Sequence, residues 1–181
     1  WLLTLFTLLG FSDAFGQIAQ RGGAETATAN AVTTLTINKP VGVIAGDIMI
    51  VDITQRGTNN LSNPTCTGWT LISGTPLGGG TDRWVSVLYK IATGAEPANY
   101  TFTLDADVDR SAGAIIAFTG VDNTTPFDVG PGTLNTANSA TVTGTGFTTV
   151  TNNAAIIMLG GSGGNTWSAW NTATLPGALT E

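Results

Sequence analysis

Between positions 83 and 92 the chain alternates with a period of two. Val85, Val87, Tyr89 and Ile91 fall on one side, and Trp84, Ser86, Leu88 and Lys90 on the other. Only an extended strand sends successive side chains to opposite faces, so this segment is incompatible with helix. The same rule holds over positions 100–104, where Tyr100, Phe102 and Leu104 alternate with Thr101 and Thr103. Residues 31–38 set Val32, Leu35 and Ile37 among threonines, and Lys39-Pro40 ends that run. Residues 48–56 are almost continuously apolar after the Gly46-Asp47 turn, as in a central strand covered on both faces.

Further short runs predict strands at 69–73, 111–119, 139–143, 147–150 and 166–170, with a strongly apolar run at 153–159. Polar, Gly- or Pro-bearing loops separate them at 57–65, 78–80, 121–131 and 160–164. The composition agrees with β structure. The chain holds 32 Thr, 13 Asn, 24 Gly and 7 Pro, but only two Lys and three Glu. Thr fits a pleated surface, whereas Asn, Gly and Pro make turns. About nine short strands without a helical period predict one all-β domain, an antiparallel β-sandwich of jelly-roll-like type. At 42% apolar residues, its 181 residues suffice for a real core.

The two ends read differently from the middle. Residues 2–11 are an apolar stretch of h-region length, and Ala14-Phe15-Gly16 supplies small residues at the −3 and −1 positions of a cleavage site. The expectation is a signal peptide over residues 1–16, cut short at its start because Trp1 stands where a charged n-region would lie. A mature domain over 17–181 then begins at Gln17. No Cys lies at the cleavage point to carry a lipid. At the other end, the segment 176–181 stops where a further strand is expected, so the domain is read as incomplete at its C-terminus. A secreted or cell-surface location follows.

Charge and residue types exclude several functions. The net charge is −6 and the six basic residues are scattered singly, which leaves no electrostatic footprint for nucleic acid. No apolar run is long enough for a membrane span. There is no His, so the commonest general base and metal ligand is missing. The abundant Ser and Thr hydroxyls have no evident base to activate them. Asp47, Asp52 and Glu96 are acid candidates only by default. Cys66 is single and reads as a small, half-buried apolar residue rather than half of an internal disulfide.

Two groups remain as binding candidates. Asp105, Asp107 and Asp109 alternate and offer carboxylates to Ca²⁺, although Arg110 and Ile116 stand where an EF-hand needs Gly and Glu. Their plainer reading is a solvated hairpin tip. Trp84, Trp167 and Trp170 are flanked by polar residues and are candidates for stacking on sugar rings, whereas Trp69 is assigned to the core. Trp167 and Trp170 are three apart, so on a regular strand they face opposite ways. The Gly-rich run at 160–164 lacks the Lys-Ser/Thr and the helix of a phosphate loop.

Four segments carry a resemblance to a known kind of domain: Pro40-Val41-Gly42-Val43-Ile44-Ala45-Gly46-Asp47-Ile48-Met49-Ile50, Gly68-Trp69-Thr70-Leu71-Ile72, Ser86-Val87-Leu88-Tyr89-Lys90, and Phe118-Thr119-Gly120-Val121-Asp122 with Pro126-Phe127-Asp128. Together they resemble a secreted bacterial β-sandwich domain of poorly defined function, as in large Bacteroidetes-type surface proteins. The resemblance implies a sandwich that continues past Glu181, a cell-surface setting and no catalytic residues to carry over. The resulting expectation is a non-enzymatic structural or adhesive module of a larger secreted protein, without a cofactor, touching a cell-surface or matrix component. The alternative is a carbohydrate-binding module, attached in one version to a polysaccharide-active enzyme.

Overall fold

The computed structural model describes residues 17–58, 60–77, 80, 82–132 and 148–161. The described chain is all-β. Its strands are β1 (Ala19–Gln20), β2 (Glu25–Asn30), β3 (Thr34–Asn38), β4 (Ile48–Gly57), β5 (Thr70–Pro76), β6 (Arg83–Ile91), β7 (Asn99–Thr103) and β8 (Val108–Thr119). The larger sheet has the order β1-β8-β4-β6-β5, with β2 also on β8; the smaller pairs β3 with β7. Every pairing is antiparallel. The two sheets face each other as a sandwich-like fold. Among the described residues no helix is long and apolar enough to cross a membrane.

The register explains the core. Leu35 and Ile37 of β3 and Tyr100 and Phe102 of β7 point inward from the small sheet. Met49, Val51 and Ile53 of β4, with Leu88 of β6 and Ile115 and Ala117 of β8, meet them from the large one. Gly113 of β8 lets the sheets close. A Cβ there would lie 2.9 Å from Ile37 Cδ1 and 3.0 Å from Leu35 Cδ2. Trp69 seals one end, with its ring edge-on to Tyr100 and Phe102 at centroid distances of 5.1 and 5.3 Å.

β4 is buried on both faces, as its continuous apolar run predicts: Ile48 and Ile50, on the outer face, are buried too. That outer face gathers Val85, Val87 and Tyr89 from β6 and Ala112, Ala114 and Ile116 from β8 beside β4. Phe127 stacks edge-on against Tyr89 at 4.8 Å, and Gly161 lies against Thr54. The polar-looking side of β6 is therefore the inner one: Ser86 and Leu88 are buried and Lys90 points inward at the strand end.

Three sequence expectations need correction. β2, with the plain sequence Glu-Thr-Ala-Thr-Ala-Asn, pairs with β8 over six residues although its pattern gave no strand signal. Residues 148–150 and 153–159 join no ladder, and Ile156 and Met158 are 59% and 50% exposed. The segment between β7 and β8 is not a hairpin tip, because the two strands belong to different sheets. The strands expected at 139–143 and 166–170 lie outside the described residues.

Candidate functional site

Four places concentrate polar chemistry, and each follows from strand register. The first lies where β6 ends. Alternation turns Lys90 inward, opposite Met49 of β4, and the following loop returns Glu96 over it. Lys90 Nζ is 3.3 Å from Glu96 Oε2, with side-chain exposures of 16% and 3%. The Tyr100 hydroxyl donates to Glu96 Oε2 at 2.7 Å and lies 3.5 Å from Met49 Sδ. The N–H and hydroxyl of Thr93 donate to Glu96 Oε1 at 2.7 and 2.9 Å. Burial alone would raise the pKa of Glu96, but these donors and Lys90 outweigh it and hold the carboxyl below its usual range. Burial and the Glu96 charge push the Tyr100 phenol well up. Half-buried Cys66 is also raised by burial, partly offset by the Lys90 charge. Every charge in this cluster has its counter-charge, so it acts as a closed polar plug under the sandwich end. A reactive base would need a free lone pair facing an opening.

The second place is at the opposite end. Gln55 is fully buried. Its amide donates to Ser62 O at 2.7 Å and accepts the Asp105 N–H at 3.1 Å. Asp105 Oδ2 in turn accepts the N–H and hydroxyl of Ser62, and Oδ1 accepts the Asp107 N–H at 3.0 Å. The Ser62 hydroxyl and the Asp107 N–H hold the Asp105 carboxyl below its ordinary pKa. Both oxygens of Asp105 thus face donors of their own loops. Asp107 and Asp109 are exposed. Among the described residues, no group of three or more acidic or Cys side chains gathers to hold a metal, so the alternating aspartates are not brought together.

Trp84 stands beside this network on the inner face of β6. Its indole N–H donates to Asn63 Oδ1 at 2.7 Å, and Asn63 Oδ1 also accepts the buried Ser86 hydroxyl at 2.8 Å. The ring is half-buried against the core. Gly74 of β5 is required here, since a Cβ at that position would meet Asn63 Oδ1. Trp84 is thereby a wedge between sheet and loop, tied by its one polar atom. Trp167 and Trp170 lie outside the described residues.

The third place is Asp52, in the middle of the outer face of β4, between Val87 and Ala114 on the neighbouring strands. Its Oδ1 is sealed from solvent and has no hydrogen-bond partner among the described residues. Burial pushes its pKa to about 6. Asp47 differs: it is just as central to its own turn, but Arg21 Nε and Nη2 grip it at 2.9 and 3.1 Å and the Ile44 N–H adds a third donor at 3.0 Å. Burial raises the Asp47 pKa, and the Arg21 guanidinium with its hydrogen bonds more than reverses this.

The fourth place is a surface that sequence inspection passed over. Because Leu35, Ile37, Tyr100 and Phe102 point inward, the outer face of the small sheet is Thr34, Thr36 and Asn38 against Thr103, Thr101 and Asn99. All six are exposed. They sit directly opposite one another, threonine to threonine and asparagine to asparagine. Thr36 Oγ1 and Thr101 Oγ1 are 2.9 Å apart, and Thr65, also exposed, bridges to Thr103 from the far side. Paired residues on such a ribbon stand about 5 Å apart across the strands and next-but-one residues roughly 7 Å apart along them. The signal was present in the sequence as Thr-x-Thr-x-Asn at 34–38 and its reverse, Asn-x-Thr-x-Thr, at 99–103. Only the register shows that the two motifs meet.

Compared with known proteins, the chain matches no family model, no curated protein and no solved structure.

Proposed function

We propose that this chain is a non-catalytic structural or adhesive module of a larger secreted or cell-surface protein, released from its leader at Gln17. The observation that carries the reading is the uncharged Thr/Asn face of the small sheet. It is an ordered grid of hydroxyl and amide groups held rigid by a core that includes Leu35, Ile37, Tyr100 and Phe102. Such a face offers many weak, simultaneous hydrogen bonds to a repetitive matrix and presents no charge to repel one. Its preorganisation lowers the ordering cost of each contact. The tied and half-buried Trp84 supports the same reading over a sugar-stacking one, because a stacking platform presents an open ring face.

Two measurements test this. Beads coated with the exported protein should adhere to envelopes of the source cells, and Thr36→Lys with Thr101→Lys should abolish adhesion without changing the circular dichroism spectrum. A glycan array should show no binding that depends on Trp84. Specific sugar binding lost in Trp84→Ala, with the fold intact, would establish the carbohydrate-binding reading instead.

A further inference from the structure

The three glutamines of the chain have very different situations. Gln55 has both ends of its amide bonded in the core. Gln20 donates through Nε2 to Gly22 O at 3.1 Å. Gln17 is exposed, and among the described residues nothing holds its amide. It stands two positions ahead of the first ladder pair, Ala19 with Thr119. Gln17 is also the residue that the Ala14-Phe15-Gly16 motif makes the first of the mature chain.

An amino-terminal glutamine has a reaction open to it that an internal one lacks. Its α-amine is within reach of its own side-chain carbonyl and closes an unstrained five-membered ring. We propose that mature Gln17 is converted to pyroglutamate; this rests on the reading that the leader is cut before Gln17. The α-nitrogen attacks Cδ, a new C–N bond forms, the bond from Cδ to the side-chain nitrogen breaks, and that nitrogen leaves as ammonia with a proton from the amine. No oxidant or other reactant is consumed. The product has lost one positive charge and the free amine that aminopeptidases require.

The fold gives this block a purpose. The segment behind Gln17 is a short clasp. β1 contributes only two ladder residues, the Arg21 N–H donates to Ala117 O at 2.8 Å, and the Arg21 guanidinium grips the buried Asp47. Stepwise removal of residues from an open amino terminus would strip β1 from the edge of β8 and then leave buried Asp47 without its counter-charge. Outside the cell, where exopeptidases act, a closed ring at position 17 protects the whole clasp.

The test is mass spectrometry of the amino-terminal peptide from the full chain exported by its source cells, before and after prolonged incubation. The expected peptide starts at position 17 and is lighter than its sequence by one ammonia, and the protein resists aminopeptidase. Gln17→Asn, whose shorter side chain would have to close a four-membered ring, should keep its amine and be trimmed. A peptide that starts at Gln17 and still carries a free amine after incubation overturns the proposal while leaving the cleavage reading intact. A peptide that starts elsewhere overturns the cleavage reading and the proposal with it.

Discussion

Replacing Asp52 should make the protein more stable, and the pH at which it does so is set by the structure. Asp52 sits on the outer face of β4 with Ile50 and Thr54 along its own strand and Val87 and Ala114 to either side. One of its oxygens is sealed and has no hydrogen-bond partner among the described residues. Its pKa rises from 3.8 to about 6 because burial penalises the charged form. At about 1.4 kcal/mol for each tenfold change in proton affinity, keeping it ionised in the fold costs about 3 kcal/mol. The folded state binds the proton more tightly than the unfolded chain does. Stability is therefore greatest below the unfolded value of 3.8, declines as pH rises towards about 6, and stays low above that. The other perturbed carboxyls act in the opposite sense. Asp47, Glu96 and Asp105 are held below their ordinary values, so their contribution is present above those values and is lost on acidification. Urea denaturation of wild type and Asp52→Asn across this range separates the two effects, because the acid-side losses are common to both proteins and cancel in the difference. The difference should grow by about 3 kcal/mol between the two pKa values and then level off. Asp52→Val, which also removes the unpaired oxygen and fits the β-branched surroundings, should raise the midpoint at neutral pH. Parallel pH profiles for wild type and Asp52→Asn would refute the argument that this carboxylate is ionised at a cost.

Four further outcomes follow from the polar network and the core. Gln55→Leu strips the Ser62 carbonyl and the Asp105 N–H of their partner and should cost about 2 to 3 kcal/mol in thermal or urea unfolding. Asn63→Ala orphans the indole N–H of Trp84 and the buried Ser86 hydroxyl; a loss of about 2 kcal/mol is expected, with a change in the near-ultraviolet signal of the tryptophans. Calcium titration by calorimetry should give no sub-micromolar site, and Asp107→Ala should leave the titration unchanged. Cys66, whose thiol is raised by burial, should react with iodoacetamide at neutral pH more slowly than a free peptide thiol and reach the peptide rate only after unfolding.

What could be read from the sequence was set by where each strand finds its cover. β4 was legible from its continuous apolar run, β6 and β7 from their period of two, β8 from an apolar run that holds Ile115, Ile116 and Phe118, and β3 and β5 because turn residues bound them. β2 escaped notice because its inward residues are Ala27 and Ala29, which pack on the core but are too small to stand out against threonine. Small residues suit it there, since they stand beside Ser111 and Gly113 on the inner face of β8, where Gly113 lets the two sheets approach. The opposite error occurred at 153–159, where the run is apolar and keeps period two: positions 157, 159 and 161 are half-buried while 156, 158 and 160 are exposed. The apolar content predicts a strand, but apolar content does not say whether a strand edge is open to pair with. Asp128 fastens this segment through the Val150 and Thr151 N–H groups at 2.7 and 2.9 Å, and Gly161 meets Thr54. An apolar run can thus be held as extended chain without entering a sheet. The same separation hid the chemistry. The apolar run around Asp52 predicts a strand covered on both faces, but only the register shows that Val87 and Ala114 flank the carboxyl. Likewise the two Thr/Asn motifs are far apart in the chain and become one surface only when β3 and β7 pair residue for residue. A surface of that kind belongs to the register, a property of two strands together, so neither motif alone could have announced it.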